Sequence, residues 1–273
     1  MTSRRLMALL ACLLFPLGAL AAPDAELWER WTAHRSESRA TIDHSTWDRL
    51  AKQYLASAED GLERFRYSAV SPDDRKALAG YLVALQALRV SEYSRAEQRA
   101  YWINLYNAAT VQVVLDHYPV KRIREIRLGG GLFAGGPWSR KFLKVEGEAV
   151  SLDDIEHRIL RPIWKDPRIH YAVNCASVSC PNLGRVAYTA GNFDELADAG
   201  ARAYVNSPRG VRVDNGRLHV SSIYTWFKED FGGSDEAIIA HLRRYAAPAL
   251  AARLESIKRV AGDSYDWSLN DLE

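Results

Sequence analysis

The sequence predicts an α+β fold: a helix-rich single domain with a small antiparallel sheet. Three observations carry this expectation. Apolar residues recur at helical spacing through most long segments, two β-favouring hairpins surround Glu146-Gly147-Glu148 and Asp214-Asn215-Gly216, and no repeat or linker divides the chain. With 273 residues, 48% hydrophobic and 26% charged, the chain has the apolar content to bury a real core.

Residues 1–21 read as a cleaved signal peptide: Arg4-Arg5 form a basic start, residues 6–20 an apolar run, and Ala19-Leu20-Ala21 a small-x-small cleavage site. The apolar run is short for a membrane span and contains Pro16, so the expected mature product is residues 22–273, periplasmic or secreted, with no integral membrane segment. Leu9-Leu10-Ala11-Cys12 only faintly resembles a lipoprotein box. The chain has 36 Lys and Arg against 34 Asp and Glu, and loss of Arg4 and Arg5 brings the mature charge to zero. Nothing in that balance favours a nucleic acid or an acidic polymer as partner.

From residue 25 to 57, Leu27, Trp31, Trp47, Leu50, Tyr54 and Leu55 fit two amphipathic helices. Ser71-Pro72-Asp73-Asp74 opens a core helix carrying Leu78, Tyr81, Leu82, Leu85 and Leu88. Ser94-Arg95-Ala96-Glu97 is a capping box before a helix that is apolar on nearly every face and stops at Pro119, so it should be central. Its polar residues Glu97, Asn104 and Asn107 then need partners, since an unpaired buried polar group costs on the order of 1 to 3 kcal/mol. Residues 129–136 form a glycine-rich loop around Phe133 without a phosphate-binding pattern. A hairpin follows at 142–150, then a helix capped by Ser151 and carrying Glu156 and His157 up to Pro162. Further helices are expected at 192–203, from Ser234 to near Tyr245, and from Pro248, with a hairpin at 211–220. Tyr265-Asp266-Trp267 closes the chain as a packed extended segment, and Tyr224, Trp226, Phe227 and Phe231 read as core.

Residues 170–181, His-Tyr-Ala-Val-Asn-Cys-Ala-Ser-Val-Ser-Cys-Pro, hold both cysteines of the mature chain. The stretch starts as a β-favouring run and breaks into small polar residues at Asn174-Cys175, the pattern of a buried strand delivering side chains to a site. A thiolate there gains nucleophilicity from a nearby base or helix N-terminus, and backbone amides of the turn offer an oxyanion hole. The competing fate of Cys175 is a disulfide with Cys180, because an exported protein meets an oxidising compartment and four intervening residues suffice to close the loop. A zinc site is a weaker alternative, for the spacing lacks a C-x2-C knuckle, and no cofactor motif occurs.

Tyr101-Trp102-Ile103-Asn104-Leu105-Tyr106-Asn107-Ala108, Asp154-Ile155-Glu156-His157, the run 168–175, Ser179-Cys180-Pro181 and Tyr265-Asp266-Trp267-Ser268-Leu269-Asn270 together resemble the DUF547 family, in order, from about His44 to the C-terminus. The resemblance implies a domain of bacterial exported proteins and of plant proteins that place it behind a leucine zipper; no zipper heptads occur here. It also implies a Glu-His-Cys triad resembling papain-like thiol enzymes.

An extended run from His170 would hold that ring roughly 16 Å from Cys175 and on the opposite face, so His157 is the better base and His170 a buried hydrogen-bonding residue. For the third member, Glu156 neighbours His157 on one helix, where adjacent side chains diverge, whereas Glu97 arrives from another element. Glu97 is equally well used as a cap. Two functions follow. In one, Cys175 attacks, His157 shuttles the proton and Glu97 orients His157, giving an exported hydrolase or acyl transferase for an amide, thioester or small peptide. In the other, Cys175 and Cys180 form a disulfide in a non-catalytic binding module.

Overall fold

A computed structural model describes residues 23–128 and 136–272; residues 1–21, where a signal peptide is expected, and all but the last residue of the glycine-rich stretch 129–136 lie outside them. The expected pair of N-terminal helices is a single one, α1 (Ser45–Tyr54), preceded by a 3-10 turn at Glu29–Thr32. The run between them, residues 34–41, has no large apolar side chain to anchor a helix against the core. Leu55 leaves α1 directly into β1 (Leu55–Ser57), which pairs antiparallel with β2 (Glu63–Phe65).

Helix α2 (Pro72–Gln86) begins where expected, with the Ser71 hydroxyl accepting from the Asp74 amide, and buries Leu78, Tyr81, Leu82 and Leu85. Ser94 does the same for α3 (Arg95–His117), accepting from the Glu97 amide. Apolar and polar residues alike are buried around α3, as its all-round apolar pattern predicts, and α2 packs along it. Strands β3 (Leu143–Val145) and β4 (Glu148–Val150) close on Glu146 and Gly147, both at positive φ, the backbone a two-residue hairpin demands.

The next helix departs from expectation. After the Ser151 cap it runs as a π-helix over Asp154–Leu160 and continues past Pro162 as α4 (Arg161–Trp164). Proline has no N–H to give Arg158, and the Arg161 amide reaches back five residues to the Glu156 carbonyl. The carbonyls of His157 and Arg158 thus freed accept the amides of Glu26 at 3.1 Å and Trp28 at 3.0 Å. The N-terminal segment is thereby tied to the wide turn that carries Glu156 and His157.

Residues 170–181 do not begin as a strand. Ile169, His170, Tyr171 and Ala172 make one helical turn, α5 (Ile169–Ala172), and a non-helical turn follows. A short apolar run buried on all sides has no periodicity to separate helix from strand. Then come α6 (Phe193–Val205), β5 (Val211–Asp214), β6 (Arg217–Ser221), α7 (Ser222–Trp226), α8 (Asp235–Tyr245), α9 (Pro248–Leu254) and β7 (Val260–Ser264). β5 and β6 pair antiparallel around Asn215 and Gly216, but β7 joins β6 in parallel after the α7–α9 crossover, so the third sheet is mixed rather than antiparallel.

Two hydrophobic clusters result: one wraps α3, and the other lies between α6, α8 and the β5–β7 sheet, with Tyr171 in the second. The tail beyond β7 is extended, as expected, and bonds to both sides: Leu269 donates to Lys121, Val178 to Ser268, and Asn270 to Ala176. Among the described residues no helix is long and apolar enough to cross a membrane.

Candidate thiol site

The buried asparagines build the site. Asn107 on α3 donates to the Ala172 carbonyl at 2.9 Å and accepts the Asn174 amide at 2.8 Å, fixing the backbone on either side of Val173. Asn174 accepts the Ala176 amide at 2.8 Å and donates to the Pro181 carbonyl at 2.7 Å, so one side chain clasps both ends of the cysteine loop. The Asn174–Ala176 contact is an Asx turn, and it holds Ala176 at φ 59°, a left-handed conformation costing about 1 to 2 kcal/mol outside glycine. Asn270 from the tail donates to Asn174, and Tyr67 donates to Asn270. Asn104 holds the Tyr188 backbone in the same two-way manner.

Within this clasp Cys175 and Cys180 are joined by a disulfide, with Cα atoms 6.2 Å apart. Cys175 is half-buried and Cys180 buried. The Tyr265 hydroxyl lies 3.1 Å from the Cys175 sulfur and 3.3 Å from that of Cys180, and the Ser177 hydroxyl is 3.2 Å from Cys175 and donates to Tyr265. Burial drives the Tyr265 phenol far above its ordinary range, so it stays protonated and remains a donor. The turn's amides are committed elsewhere: Cys175 to the Cys180 sulfur, Ala176 to Asn174, Val178 to Ser268, Ser179 to Asp266 and Cys180 to Ser177. Where an amide oxyanion hole was expected, the donor presented to the Cys175 sulfur is therefore the Tyr265 hydroxyl, which itself accepts from Ser177.

Behind Tyr265 lies a buried charged array on the π-helix and α5. The Glu156 carboxylate faces the Tyr106 hydroxyl, stands 3.8 Å from His170 Nδ1, and its charge acts on Tyr265, His157 and Asp153. His170 Nε2 donates to Asp230 at 2.7 Å, and its ring stacks on Phe227 at 4.5 Å. Arg161 also donates to Asp230. Burial opposes ionisation of Asp230, but the His170 and Arg161 bonds prevail and hold its carboxyl at about 2. Asp153, with a third of its side chain exposed, is pushed up to about 7 by desolvation and by the charges of Glu156 and Asp154.

The three expected triad members are not in hydrogen-bond contact among the described residues. His157 accepts from Arg161 at Nδ1, 3.1 Å away, and turns Nε2 toward Asp153 at 3.8 Å; burial lowers its pKa to about 4. The Glu97 carboxylate accepts the Ile42 amide at 2.7 Å. Cys175 meets Tyr265 and Ser177 instead. His170 is the buried hydrogen-bonding residue expected of it, although on a helix rather than a strand. Sequence reasoning missed Tyr265, Ser177 and Asp230, and set Glu156 aside because it neighbours His157. The one available signal was Tyr265 in a motif with no other use. Among the described residues no group of three or more His, Cys, Asp or Glu side chains is placed to hold a metal ion.

No curated protein and no solved structure matches the chain. A family model described as "Protein of unknown function, DUF547" matches residues 90–205. That span contains Asn107, Glu156, His170 and both cysteines, and leaves out Asp230 and Tyr265. It is narrower than the resemblance from about His44 onward. Residues 90–205 are thus similar to the DUF547 family, in keeping with the motifs between Tyr101 and Pro181.

Proposed function

We propose that the protein is an exported thiol-dependent hydrolase or acyl transferase, active when the Cys175–Cys180 disulfide is reduced. The Cys175 thiolate attacks the carbonyl carbon of an amide, thioester or small peptide in the manner of papain-like enzymes; the C–N or C–S bond breaks, the amine or thiol leaves with a proton, and water or an acceptor then takes the acyl group from the sulfur. The observation that carries this reading is the half-buried Cys175 sulfur with the hydroxyls of Tyr265 and Ser177 at 3.1 and 3.2 Å. The Tyr265 hydroxyl, which accepts from Ser177, is a donor at that distance for a thiolate and later for the oxyanion of a tetrahedral intermediate. Glu156 and His170, 3.8 Å apart, take the acid–base role expected of His157 and Glu97, and Glu156 is the member whose charge reaches Tyr265 beside the sulfurs. Opening the disulfide takes two electrons from a dithiol donor, and the oxidised pair supports an oxidising, exported setting.

The test is alkylation of the reduced protein by iodoacetamide at pH 6, followed by a thioester and amide substrate panel. Cys175 should react at least about tenfold faster than a model thiol, and Cys175→Ser should abolish turnover. A rate no faster than the model thiol removes the reading.

The disulfide itself favours a second function, a non-catalytic binding module in which the bond is permanent. This version requires the exported protein to contain no free thiol under non-reducing conditions, and two titratable thiols would end it.

A further inference from the structure

A cleft of about 340 Å³ opens beside the thiol site, lined by Arg122, Arg124, Glu125, Tyr265, Asp266 and Trp267. Its position relative to Cys175 follows from backbone pairing. Arg122 pairs with Ser268, and Ser177 pairs with Leu269 on the other side of the same extended segment. Two strand spacings of about 4.8 Å put the Arg122 and Ser177 backbones roughly 10 Å apart. Tyr265 joins the two regions, for it lines the cleft and touches both sulfurs with its hydroxyl.

The charges in the cleft are unequally occupied. Glu125 accepts the Lys121 amide and Asp266 accepts the Ser268 amide at 2.8 Å. Arg122 and Arg124 are exposed, and among the described residues neither has a carboxylate within ion-pair distance; Arg124 lies over the Trp267 ring at 4.9 Å. Trp267 is anchored by Tyr265 at 4.6 Å, Trp226 at 5.7 Å and Trp138 at 5.6 Å, all half-buried. Two uncommitted guanidiniums beside a fixed aromatic surface suit a carboxylate on an apolar or aromatic body, since a guanidinium binds a carboxylate through two parallel hydrogen bonds. The nearby Glu125 and Asp266 carboxylates disfavour a doubly charged phosphate.

We propose that this cleft is the subsite for a carboxylate-bearing substrate: Arg122 and Arg124 hold the carboxylate and the Tyr265–Trp267 aromatic surface packs its apolar body. The acyl group to be attacked then extends past Tyr265 to Cys175, a span of about three residues of extended peptide. This deepens the thiol-enzyme reading and rests on it for the word substrate, so the test measures binding alone.

The experiment titrates the Cys175→Ser protein with N-acetylphenylalanine, with its uncharged amide, and with phenyl phosphate, following tryptophan fluorescence. The carboxylate should bind about tenfold more tightly than the amide, and its affinity should weaken with added salt. The double variant Arg122→Gln/Arg124→Gln should lose that preference, while Arg140→Gln, outside the cleft, should keep it. Equal binding of acid and amide overturns the proposal. So does tighter binding of phenyl phosphate, or the absence of saturable binding by a protein whose circular dichroism is unchanged. If the preference holds while Cys175 alkylates no faster than a model thiol, the thiol-enzyme reading falls and the carboxylate site stands.

Discussion

The Tyr265 hydroxyl lies 3.1 Å from the Cys175 sulfur, and its phenol is held protonated by burial. In the reduced protein this makes Tyr265 a permanent donor to a developing thiolate. A hydrogen bond to a charged group contributes about 1.5 to 3 kcal/mol, and about 1.36 kcal/mol is one pKa unit. Tyr265→Phe should therefore raise the Cys175 thiol pKa by about one unit or more and slow its alkylation near neutral pH. The pH profile of iodoacetamide labelling reads both. An unchanged profile would mean that the phenol only packs against the sulfurs.

Asn107 offers a contrast between fold and site. Replacing it with Ala leaves the Ala172 carbonyl and the Asn174 amide buried and unpaired, which costs roughly 2 to 4 kcal/mol. Asn104→Ala loses a matching pair of bonds to Tyr188 and should destabilise comparably. Only the Asn107 change should also alter Cys175 reactivity, because Asn174 positions the cysteine loop. Urea midpoints together with alkylation rates separate the two variants, and equal effects on reactivity would detach Asn107 from the site.

Where apolar periodicity and a cap coincide, the sequence was a sufficient guide. Ser71 and Ser94 open helices, Asn215-Gly216 turns a hairpin, and the all-round apolar pattern of 95–117 marks the central helix. The buried partners demanded for Asn104 and Asn107 are present. What could not be read were relations between distant segments. Pro162 signals a helix end, yet the chain continues through it because Glu26 and Trp28 supply the donors that Pro162 cannot. That π-helix places Glu156 against His170 and Tyr106, a geometry that ideal helical spacing does not produce. Asp230, in a 3-10 turn at Lys228–Phe231, and Tyr265, just after β7, lie dozens of residues downstream, and nothing local to either announces Cys175 or His170 as its partner.

Asp230 is the counter-charge for a nearly inaccessible Arg161, whose side chain is 4% exposed. Asp230→Asn retains a hydrogen-bond acceptor for His170 but leaves a buried guanidinium without its carboxylate, a change that costs about 3 to 5 kcal/mol. With its carboxyl at about 2, below the ordinary value near 3.9, Asp230 contributes fully above about pH 4 and loses that contribution only as pH falls through 2. The destabilisation should therefore be constant between pH 8 and 5. Chemical denaturation at three pH values checks this, and a penalty that shrinks within that window would mean that Asp230 is not held ionised by its partners.

The buried histidines make the opposite pH statement. His44, His157 and His241 are each lowered to about 4, in every case first by burial, from an ordinary 6.5. Their rings sit against Tyr81, Arg161 and Tyr171, and none has an exposed position in which to accept a proton cheaply. A histidine depressed in the folded state takes up its proton on unfolding once pH drops below about 6.5, so the stability it confers is complete above that value and is lost as pH falls toward 4. Three such groups give a slope of about 4 kcal/mol per pH unit near pH 5, enough to unfold a domain of ordinary stability before pH 4 is reached. Denaturant midpoints from pH 7.5 to 4.5 should show this decline, and His157→Leu should reduce the slope by about one third. A stability that stays flat between pH 7 and 5 would show that the three rings titrate as they do in the unfolded chain, and that water reaches His157 through the packing of its π-helix.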